Sequence, residues 1–303
     1  MIARRVPVIA NTSRGIAVRP AHQEMASMAA NIVRNAIVLF LVVATSGCGK
    51  RASRTADARS RPFLSEQEIA RLASEKVFFG HQSVGSNIID GIRDVLKTDP
   101  RLKLKIVTSS DPQAVAGPAL IEFKIGQNGN PRLKDEVFAV ILDKGMGKQG
   151  GIVMYKYCYL DIDSSTDVGT IFDTYRGKIR MLKTKYRAVK VAHITMPLTT
   201  VESAPKAWIK SKLGRVTARD LTVKRNQFNT LLKQTYAGVD PVFDLAEVES
   251  THRDGSRSYF MRNNAKVYTL APEFTIDGGH LNEIGRRTAA EQFLLFLGSL
   301  PQM

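Results

Sequence analysis

Apolar residues along this chain follow two alternating patterns, short continuous runs and stretches with helical spacing. Short apolar runs at residues 76–80, 151–159 and 190–196 predict buried strands. Between the last two runs, residues 167–186 place apolar side chains at steps of three and four, which is the spacing of an amphipathic helix. Strands that alternate with helices of this length predict βαβ units and a mainly parallel sheet covered by helices on both faces.

The rest of the chain after residue 62 continues this alternation. Ser65 and Glu68 have the spacing of a capping box, which predicts a short helix that ends near Glu75. Residues 111–131 are rich in Gly, Pro and Asn and are predicted to be mostly loop, and Trp208 is placed in another loop. Further helices are predicted at residues 84–96, 132–142, 222–236 and 282–297, and further strands at residues 102–108 and 239–245. The predicted core positions of the last helix are Ile284, Phe293, Leu294 and Leu297.

The amino-terminal part of the chain has a different composition. An arginine, an apolar run at residues 36–44 and small residues that end at Cys48 are typical of a secretory signal. The apolar run is too short to cross a hydrocarbon core of ~30 Å. Residues 45–48 resemble a bacterial lipobox, with Thr45 at a position where Leu or Val is usual.

This pattern divides the chain into three predicted parts. Residues 1–48 form an amino-terminal extension and lipoprotein-type signal, residues 49–62 a polar linker, and residues 63–303 a single folded domain. The expected location is the bacterial cell envelope, after export, with a lipid anchor on Cys48. An uncleaved anchor and an ordinary cleaved signal stay open as alternatives. Cys158 is the only other cysteine and is predicted to be a small buried side chain.

The formal net charge of +16 raises the question of an anionic partner. The basic residues, for example at residues 178–187 and 206–212, are scattered and are not interleaved with aromatic residues along one strip. We therefore expect a solvated basic face and no nucleic-acid partner, while attraction to anionic polymers or lipid head groups stays open. No spacing of His, Cys and Asp suggests a metal site, and no metal or other cofactor is expected.

Ser83 lies where the first predicted strand of the sheet runs directly into a helix. Backbone N–H groups at a helix N-terminus can stabilise an oxyanion, and Gly80 and Gly85 allow a tight turn and the close approach of a substrate. A serine at this position can equally serve only to cap the helix. His81, two residues before the serine, is predicted to make a structural contact, with contact to a substrate or an oxyanion as the alternative.

Asp277 and His280 lie three residues apart on a glycine-containing turn, just before the last predicted helix. This spacing lets the carboxylate hold the imidazole tautomer and stabilise the imidazolium, while the second ring nitrogen faces a nucleophile. The alternative is a turn-forming aspartate beside a structural histidine. His193 lies in an apolar strand and is predicted to be a core residue, and His252 lies in a polar loop with no evident partner.

A serine after the first strand, combined with D-x-x-H before the last helix, resembles the SGNH/GDSL hydrolase family over residues 76–297. The resemblance implies a three-layer αβα, flavodoxin-like fold and a serine hydrolase with Ser83 as nucleophile, His280 as base and Asp277 as acid. The first block departs from the family pattern, because Gly-His-Gln-Ser stands in place of Gly-Asp-Ser. The close spacing of the acid and the histidine argues against the α/β-hydrolase fold, although G-x-x-S-x-G at residues 80–85 is one residue from its nucleophile elbow.

Besides the N–H of the nucleophile Ser83, the family uses two oxyanion donors, a second-block glycine and a third-block asparagine. These two match this sequence less closely. The second-block glycine maps onto Gly129, with Asn128 as an additional side-chain donor, although the same stretch is compatible with a plain turn before a helix. The third-block asparagine is missing from residues 156–161. Lys156, Tyr159 and Asn128 are candidate substitutes.

The resemblance implies a serine esterase that forms an acyl-enzyme. Its expected substrate is a small-molecule or glycan ester, such as an O-acyl group of an envelope glycan or lipid, and its expected further partner is a membrane, reached through the lipid anchor. An O-acyltransferase that passes the acyl group to a polysaccharide on the same scaffold is one alternative. A non-catalytic envelope lipoprotein is the other.

Overall fold

The computed structural model of the chain describes residues 63–301. The predicted signal, Cys48 and the predicted linker lie outside the described residues. Among the helices that are described, none combines the length and the apolar character needed to cross a membrane.

The described chain alternates between strands and helices. The helices are α1 (Glu66–Ser74), α2 (Ser83–Thr98), α3 (Pro131–Ile141), α4 (Gly147–Gln149), α5 (Val168–Lys185), α6 (Ala204–Lys212), α7 (Ala218–Tyr236), α8 (Leu245–Ser250) and α9 (Glu283–Ser299). The strands are β1 (Lys76–His81), β2 (Ile106–Thr108), β3 (Ala119–Lys124), β4 (Gly151–Tyr155), β5 (Val189–Val191), β6 (His193–Ile194), β7 (Val242–Phe243), β8 (Tyr259–Arg262) and β9 (Ala265–Tyr268).

Five parallel strands form the central sheet, in the order β2–β3–β1–β4–β5. Phe78 of β1 pairs with Ile121 of β3 on one side and with Val153 of β4 on the other. Strand β6 continues β5 beyond Ala192, whose N–H donates to the carbonyl of Val153 (2.9 Å), and it pairs in parallel with β7. All these strands end at one edge, and in parallel sheets of this kind ligands bind at that edge.

Alternate residues of the strands supply two hydrophobic cores, one on each face of the sheet. Phe79 and Met154 pack with α1, α2, α8 and α9, whereas Phe78 and Tyr155 pack with α3, α5 and α7. Burial on both faces explains why these strands are continuous apolar runs in the sequence. The predicted three-layer α/β fold is confirmed.

Two strand regions differ from the prediction. Residues 111–131 were expected to be mostly loop, yet they contain β3, which lies between β2 and β1 in the sheet. The short apolar run of β3 is flanked by Gly, Pro and Asn. The composition of the whole stretch is therefore typical of a loop, although it contains a strand. The antiparallel hairpin β8–β9 was not predicted either, and its turn is formed by Asn263 and Asn264, both with positive φ.

Two single-residue predictions are wrong. Ile284 is not a core residue, because it lies in the first turn of α9 on the solvent side and is 43% exposed. Its three predicted companions in α9 are buried, as expected. Trp208 lies in α6 rather than in a loop. Helix α6 lacks a buried apolar stripe, so the spacing of its residues gave no helical pattern.

Candidate active site

Ser83 is the first residue of α2, and Gln82 alone separates it from the end of β1. The side chain of Gln82 does not cap the helix. Its amide donates instead to the carbonyls of Ile125 (2.6 Å) and Gly126 (3.2 Å), in the loop after β3. The N–H groups of the first turn of α2 therefore have no side-chain cap, and groups of this kind can donate to an oxyanion.

Two glycines let strand and helix approach each other around Ser83. A Cβ atom at Gly85 would lie 2.2 Å from the Cβ of His81, and one at Gly80 would lie 2.8 Å from Cδ1 of Ile125. The contact at Gly85 is far shorter than real Cβ contacts, and the one at Gly80 would require the end of the Ile125 side chain to move. The glycine spacing around the serine therefore meets a packing requirement of the strand–helix turn.

His81 is buried, and both of its ring nitrogens have partners other than Ser83. Its Nε2 lies 2.9 Å from the carboxylate of Glu122, and its Nδ1 lies 2.9 Å from the carbonyl of Gln82. The hydrogen bonds from His81 and Thr108 hold the pKa of Glu122 below its ordinary value, against the opposing effect of burial. The predicted structural role of His81 is confirmed.

Asp277 and His280 lie in a closed loop just before α9. Thr275 and Leu281 pair across the base of the loop as an isolated antiparallel bridge. Gly278 takes a φ of +87°, a backbone conformation that favours glycine. Oδ1 of Asp277 accepts the N–H of His280 (2.8 Å) and that of the residue before it (2.9 Å), so the loop itself orients the carboxylate.

His280 bridges Asp277 and Ser83. Its Nδ1 lies 2.5 Å from Oδ2 of Asp277, and its Nε2 lies 2.9 Å from Oγ of Ser83. With the neutral ring protonated on Nδ1, this N–H donates to the carboxylate, and the Ser83 hydroxyl donates to Nε2. The structure therefore brings together the three residues predicted to form the triad.

Hydrogen bonds also set the charge of this site. The ring and backbone N–H groups of His280 hold the pKa of Asp277 well below its ordinary range, so the carboxylate is ionised at neutral pH.

The side chains of His280 and Asp277 are 43% and 55% exposed, so the site is open to solvent. A cavity of about 700 Å³ beside α9, lined by Phe243 and Phe296 among others, includes none of the three triad residues.

The predicted oxyanion role of Gly129 is not supported. Its N–H donates to Oδ1 of Asp161 (2.9 Å) and is therefore already paired. Asn128, its predicted companion, is exposed in the same loop. The glycine serves the turn before α3, with a φ of +80°.

A buried ion pair, which no spacing in the sequence indicated, holds α3 against the loop after β4. Nζ of Lys134 lies 2.6 and 2.7 Å from the two carboxylate oxygens of Asp161, and both side chains are fully buried. Asp161 also accepts the N–H groups of Gly129 and Cys158 (2.7 Å for the latter). Asp161 thus ties α3 and the loop before it to the loop after β4, at the carboxyl edge of the sheet.

Of the three candidate substitutes for the missing asparagine, only Tyr159 contacts the triad. Its ring lies edge-on to the ring of His280, with the centroids 6.1 Å apart. A Cβ at Gly279 would lie 2.9 Å from the Tyr159 hydroxyl oxygen, which places this hydroxyl against the triad loop. Arg225 holds the backbone of the tyrosine, because its Nε donates to the Tyr159 carbonyl (3.0 Å). Lys156, by contrast, is buried in the interior.

His193 and Cys158 have structural surroundings. His193 is buried. Its Nδ1 forms a hydrogen bond with the Tyr175 hydroxyl (2.7 Å), and its ring stacks on that of Tyr236. Its predicted core position is therefore confirmed. Burial lowers its pKa. Cys158 is buried, as expected. Within residues 63–301, no three His, Cys, Asp or Glu side chains are grouped to hold a metal ion.

His252 has partners that the sequence did not reveal. Its Nδ1 lies 2.5 Å from the carboxylate of Glu273, and the Ser258 hydroxyl lies 2.8 Å from its Nε2. This set repeats the side-chain order of a triad, but the backbone N–H of Ser258 donates to the carbonyl of Ser250 and is not free for an oxyanion. Ser258 also follows a loop rather than opening a helix. We therefore assign these three side chains to fixing the segment before β8.

Comparison with known proteins gave structural likenesses only. No family model and no curated protein matches the sequence. Similar solved structures include a GDSL-like lipase from Bacteroides thetaiotaomicron (14% identity, TM-score 0.45, covering 76% of this chain and 94% of that one). An acetyl xylan esterase (18%, 0.42, 72% and 97%) and a peptidoglycan O-acetylesterase (13%, 0.38, 59% and 46%) are also similar. All three TM-scores lie below 0.5, so the fold assignment rests on the strand order and layers described above.

Proposed function

We propose that this protein is a serine esterase of the SGNH/GDSL type that works through an acyl-enzyme. The observation that carries this proposal is the continuous contact from Asp277 through His280 to Ser83, at 2.5 and 2.9 Å. The nucleophile opens a helix at the carboxyl edge of a parallel sheet, where uncapped N–H groups can receive an oxyanion.

The chemistry follows from the position of each proton. His280 removes the hydroxyl proton of Ser83 as Oγ attacks the ester carbonyl, and Asp277 stabilises the resulting imidazolium. The carbonyl oxygen becomes an oxyanion, and the N–H of Ser83 is its proposed donor. The C–O bond to the alcohol then breaks, and His280 returns the proton to the leaving alcohol. Water, deprotonated by His280, releases the acid and restores the Ser83 hydroxyl.

Tyr159 is the best-placed side chain for the role of the absent asparagine. Its hydroxyl lies against the triad loop, and Arg225 fixes the backbone that carries it. We propose that this hydroxyl donates to the oxyanion or to the bound ester. Loss of one oxyanion donor typically costs about 10²–10³-fold in rate.

The proposed substrate is a small O-acyl group carried by an envelope glycan or lipid. The exposed triad suits an ester attached to a bulky carrier, because His280 and Asp277 are each about half exposed. Water can reach the acyl-enzyme at such an open site, and hydrolysis is therefore the proposed reaction; a glycan hydroxyl can reach the same site, and the acceptor experiment below distinguishes the two. The location in the cell envelope and the lipid anchor on Cys48 belong to the same proposal.

Labelling with a fluorophosphonate probe tests the nucleophile. We expect the wild type to label and Ser83→Ala and His280→Ala to lose labelling. Ser258→Ala is the matched control, because Ser258 also faces a histidine–carboxylate pair and should label like the wild type. Equal labelling of Ser83→Ala and wild type would show that the nucleophile is assigned wrongly.

Acetate release from O-acetylated envelope polysaccharide, with and without an added glycan acceptor, tests the reaction. Free acetate as the main product supports the esterase. Acetylated acceptor in excess of free acetate would contradict it and favour an O-acyltransferase.

A further inference from the structure

Helix α6 and the turn after it are exposed to an unusual degree for a segment with so many apolar residues. Within residues 203–216, every residue is exposed except Ala207. Four large apolar side chains in this segment face solvent, namely Trp208 (63% exposed), Ile209 (53%), Leu213 (67%) and Val216 (51%). Single exposed apolar residues are ordinary, but a group of this kind in one short segment marks an interaction surface.

The charges of the same segment have one sign. Residues 203–216 contain four cations, Lys206, Lys210, Lys212 and Arg215, and no Asp or Glu. Glu202, just before the segment, pairs with Lys210 at 3.2 Å. Nζ of Lys212 lies 5.8 Å from the centre of the Trp208 ring, so cation and aromatic ring share one surface.

This combination matches the interfacial region of an anionic bilayer. Such a region accepts Trp and aliphatic side chains among the acyl chains, while Lys and Arg extend to the anionic head groups. The cores of protein–protein interfaces, by contrast, are depleted in lysine, and three of these four cations are lysines.

The position of the segment relates it to the triad. The N–H of Thr200 donates to the carbonyl of Gly278 (2.9 Å), within the loop that carries Asp277 and His280. Residue 203 is three residues further along, within about 10 Å of Thr200 even if the chain is fully extended. Ile276, in the same triad loop, is 93% exposed.

We propose that residues 203–216 form an interfacial docking surface for an anionic lipid bilayer, with Trp208, Ile209 and Leu213 inserted past the head groups to the start of the acyl chains. The lysines and Arg215 contact the anionic head groups around them. Docking holds the triad loop near the membrane surface, where an envelope ester would be presented. The proposal does not depend on catalysis, because none of these residues belongs to the triad.

The fluorescence of Trp208 tests this proposal directly, because Trp208 is the only tryptophan of the chain. The experiment uses the full-length Ser83→Ala protein, so that catalysis plays no part. We expect vesicles containing phosphatidylglycerol to shift the emission to the blue and to protect it from acrylamide quenching, whereas pure phosphatidylcholine vesicles do so far less. An amino-terminal anchor alone would hold the protein on vesicles without changing the surroundings of Trp208.

Charge variants give the quantitative test. Each cation near an anionic surface contributes about 1 kcal/mol, so Lys206→Gln/Arg215→Gln should need roughly thirtyfold more anionic lipid for the same shift. The control variant Lys103→Gln/Lys105→Gln removes the same charge from the segment just before β2. Strand β2 is the outer strand at the other side of the sheet from β5, so this variant should behave like the parent protein.

Three results would overturn the proposal. The first is an emission spectrum that anionic vesicles leave unchanged while the protein sediments with them. The second is an equal shift on neutral and anionic vesicles. The third is a shift that depends on protein concentration without lipid, which would identify a second copy of the chain as the partner.

Discussion

The side-chain carbonyl of Asn87 accepts the backbone N–H of Leu281 at 3.1 Å. Asn87 lies one helical turn after Ser83 in α2, and Leu281 directly follows His280. This hydrogen bond therefore joins the helix that carries Ser83 to the loop that carries His280. We expect Asn87 to act as a positioning residue, because its side chain bonds to the backbone of the residue that follows His280.

Replacing Asn87 by Ala should lower kcat about tenfold to a hundredfold while KM changes little. The cause is looser placement of His280 relative to Ser83, because small displacements of catalytic groups are costly in rate. The free energy of unfolding should fall by only about 1 kcal/mol, the usual contribution of one hydrogen bond. Steady-state kinetics with a chromogenic acetate ester and urea unfolding measure the two effects.

Asn226→Ala is the matched control for that variant. Asn226 joins α7 to β9 through the backbone N–H and carbonyl of Tyr268, at 3.0 and 2.9 Å. It should lose at least as much stability as Asn87→Ala and keep its kcat. If both variants lost kcat equally, the effect would be general loosening and not positioning of the histidine.

Tyr159→Phe tests the proposed second donor. The variant keeps the ring that lies edge-on to His280 and removes only the hydroxyl. We expect kcat to fall about 10²–10³-fold with little change in KM, because the lost hydrogen bond forms mainly in the transition state. An unchanged kcat would remove Tyr159 from the oxyanion site and leave it as a packing residue.

Removal of one partner of the Lys134–Asp161 pair should lower the free energy of unfolding strongly. Asp161→Asn leaves the buried ammonium of Lys134 without its counter-charge, and loss of one partner of a buried pair typically costs about 3–5 kcal/mol. The double variant Lys134→Met/Asp161→Asn should lose less than the two single variants added together. Urea unfolding of the three variants gives the coupling energy, and strict additivity would contradict the pairing.

Asp135 should make stability fall as the pH rises. Burial raises its pKa from 3.8 to about 6, although Oδ1 accepts the hydroxyls of Tyr155 and Tyr157 at 2.7 Å each. Between about pH 4 and pH 6 the folded protein holds a proton here that the unfolded chain releases. The stabilisation is therefore complete below about pH 4 and is lost as the pH rises through 6, by about 3 kcal/mol in all.

The comparison of wild type with Asp135→Asn isolates this effect, because the amide keeps the accepting oxygen and cannot ionise. The stability of the wild type relative to Asp135→Asn should fall by about 3 kcal/mol between pH 4 and pH 7. Asp173→Asn, on the exposed side of α5, should show no comparable trend. A difference between wild type and Asp135→Asn that stays constant over this range would place the proton elsewhere.

Much of the architecture was predictable because it depends on local periodicity. Strands β1, β4 and β5–β6 and helices α2, α3, α5, α7 and α9 each have enough apolar positions to show their period. Strand β3 was not predictable in this way, since its six residues lie between turn-forming segments and its pairing with β1 is long-range. Helix α6 was not predictable because its apolar residues face solvent and follow no buried stripe.

Local order along the chain already indicates which residues can form a triad, because Ser83 directly follows the first predicted strand of the sheet and Asp277 lies three residues before His280. The alternation of strands and helices likewise indicates the parallel sheet that gives such residues a common edge. Long-range packing, which no such pattern shows, makes the N–H of Gly129 donate to Asp161, pairs Lys134 with that carboxylate and sets Tyr159 beside His280. These contacts join segments dozens to more than a hundred residues apart. Their partners are chosen by packing and by the cost of leaving a buried polar group unpaired, which no local pattern records.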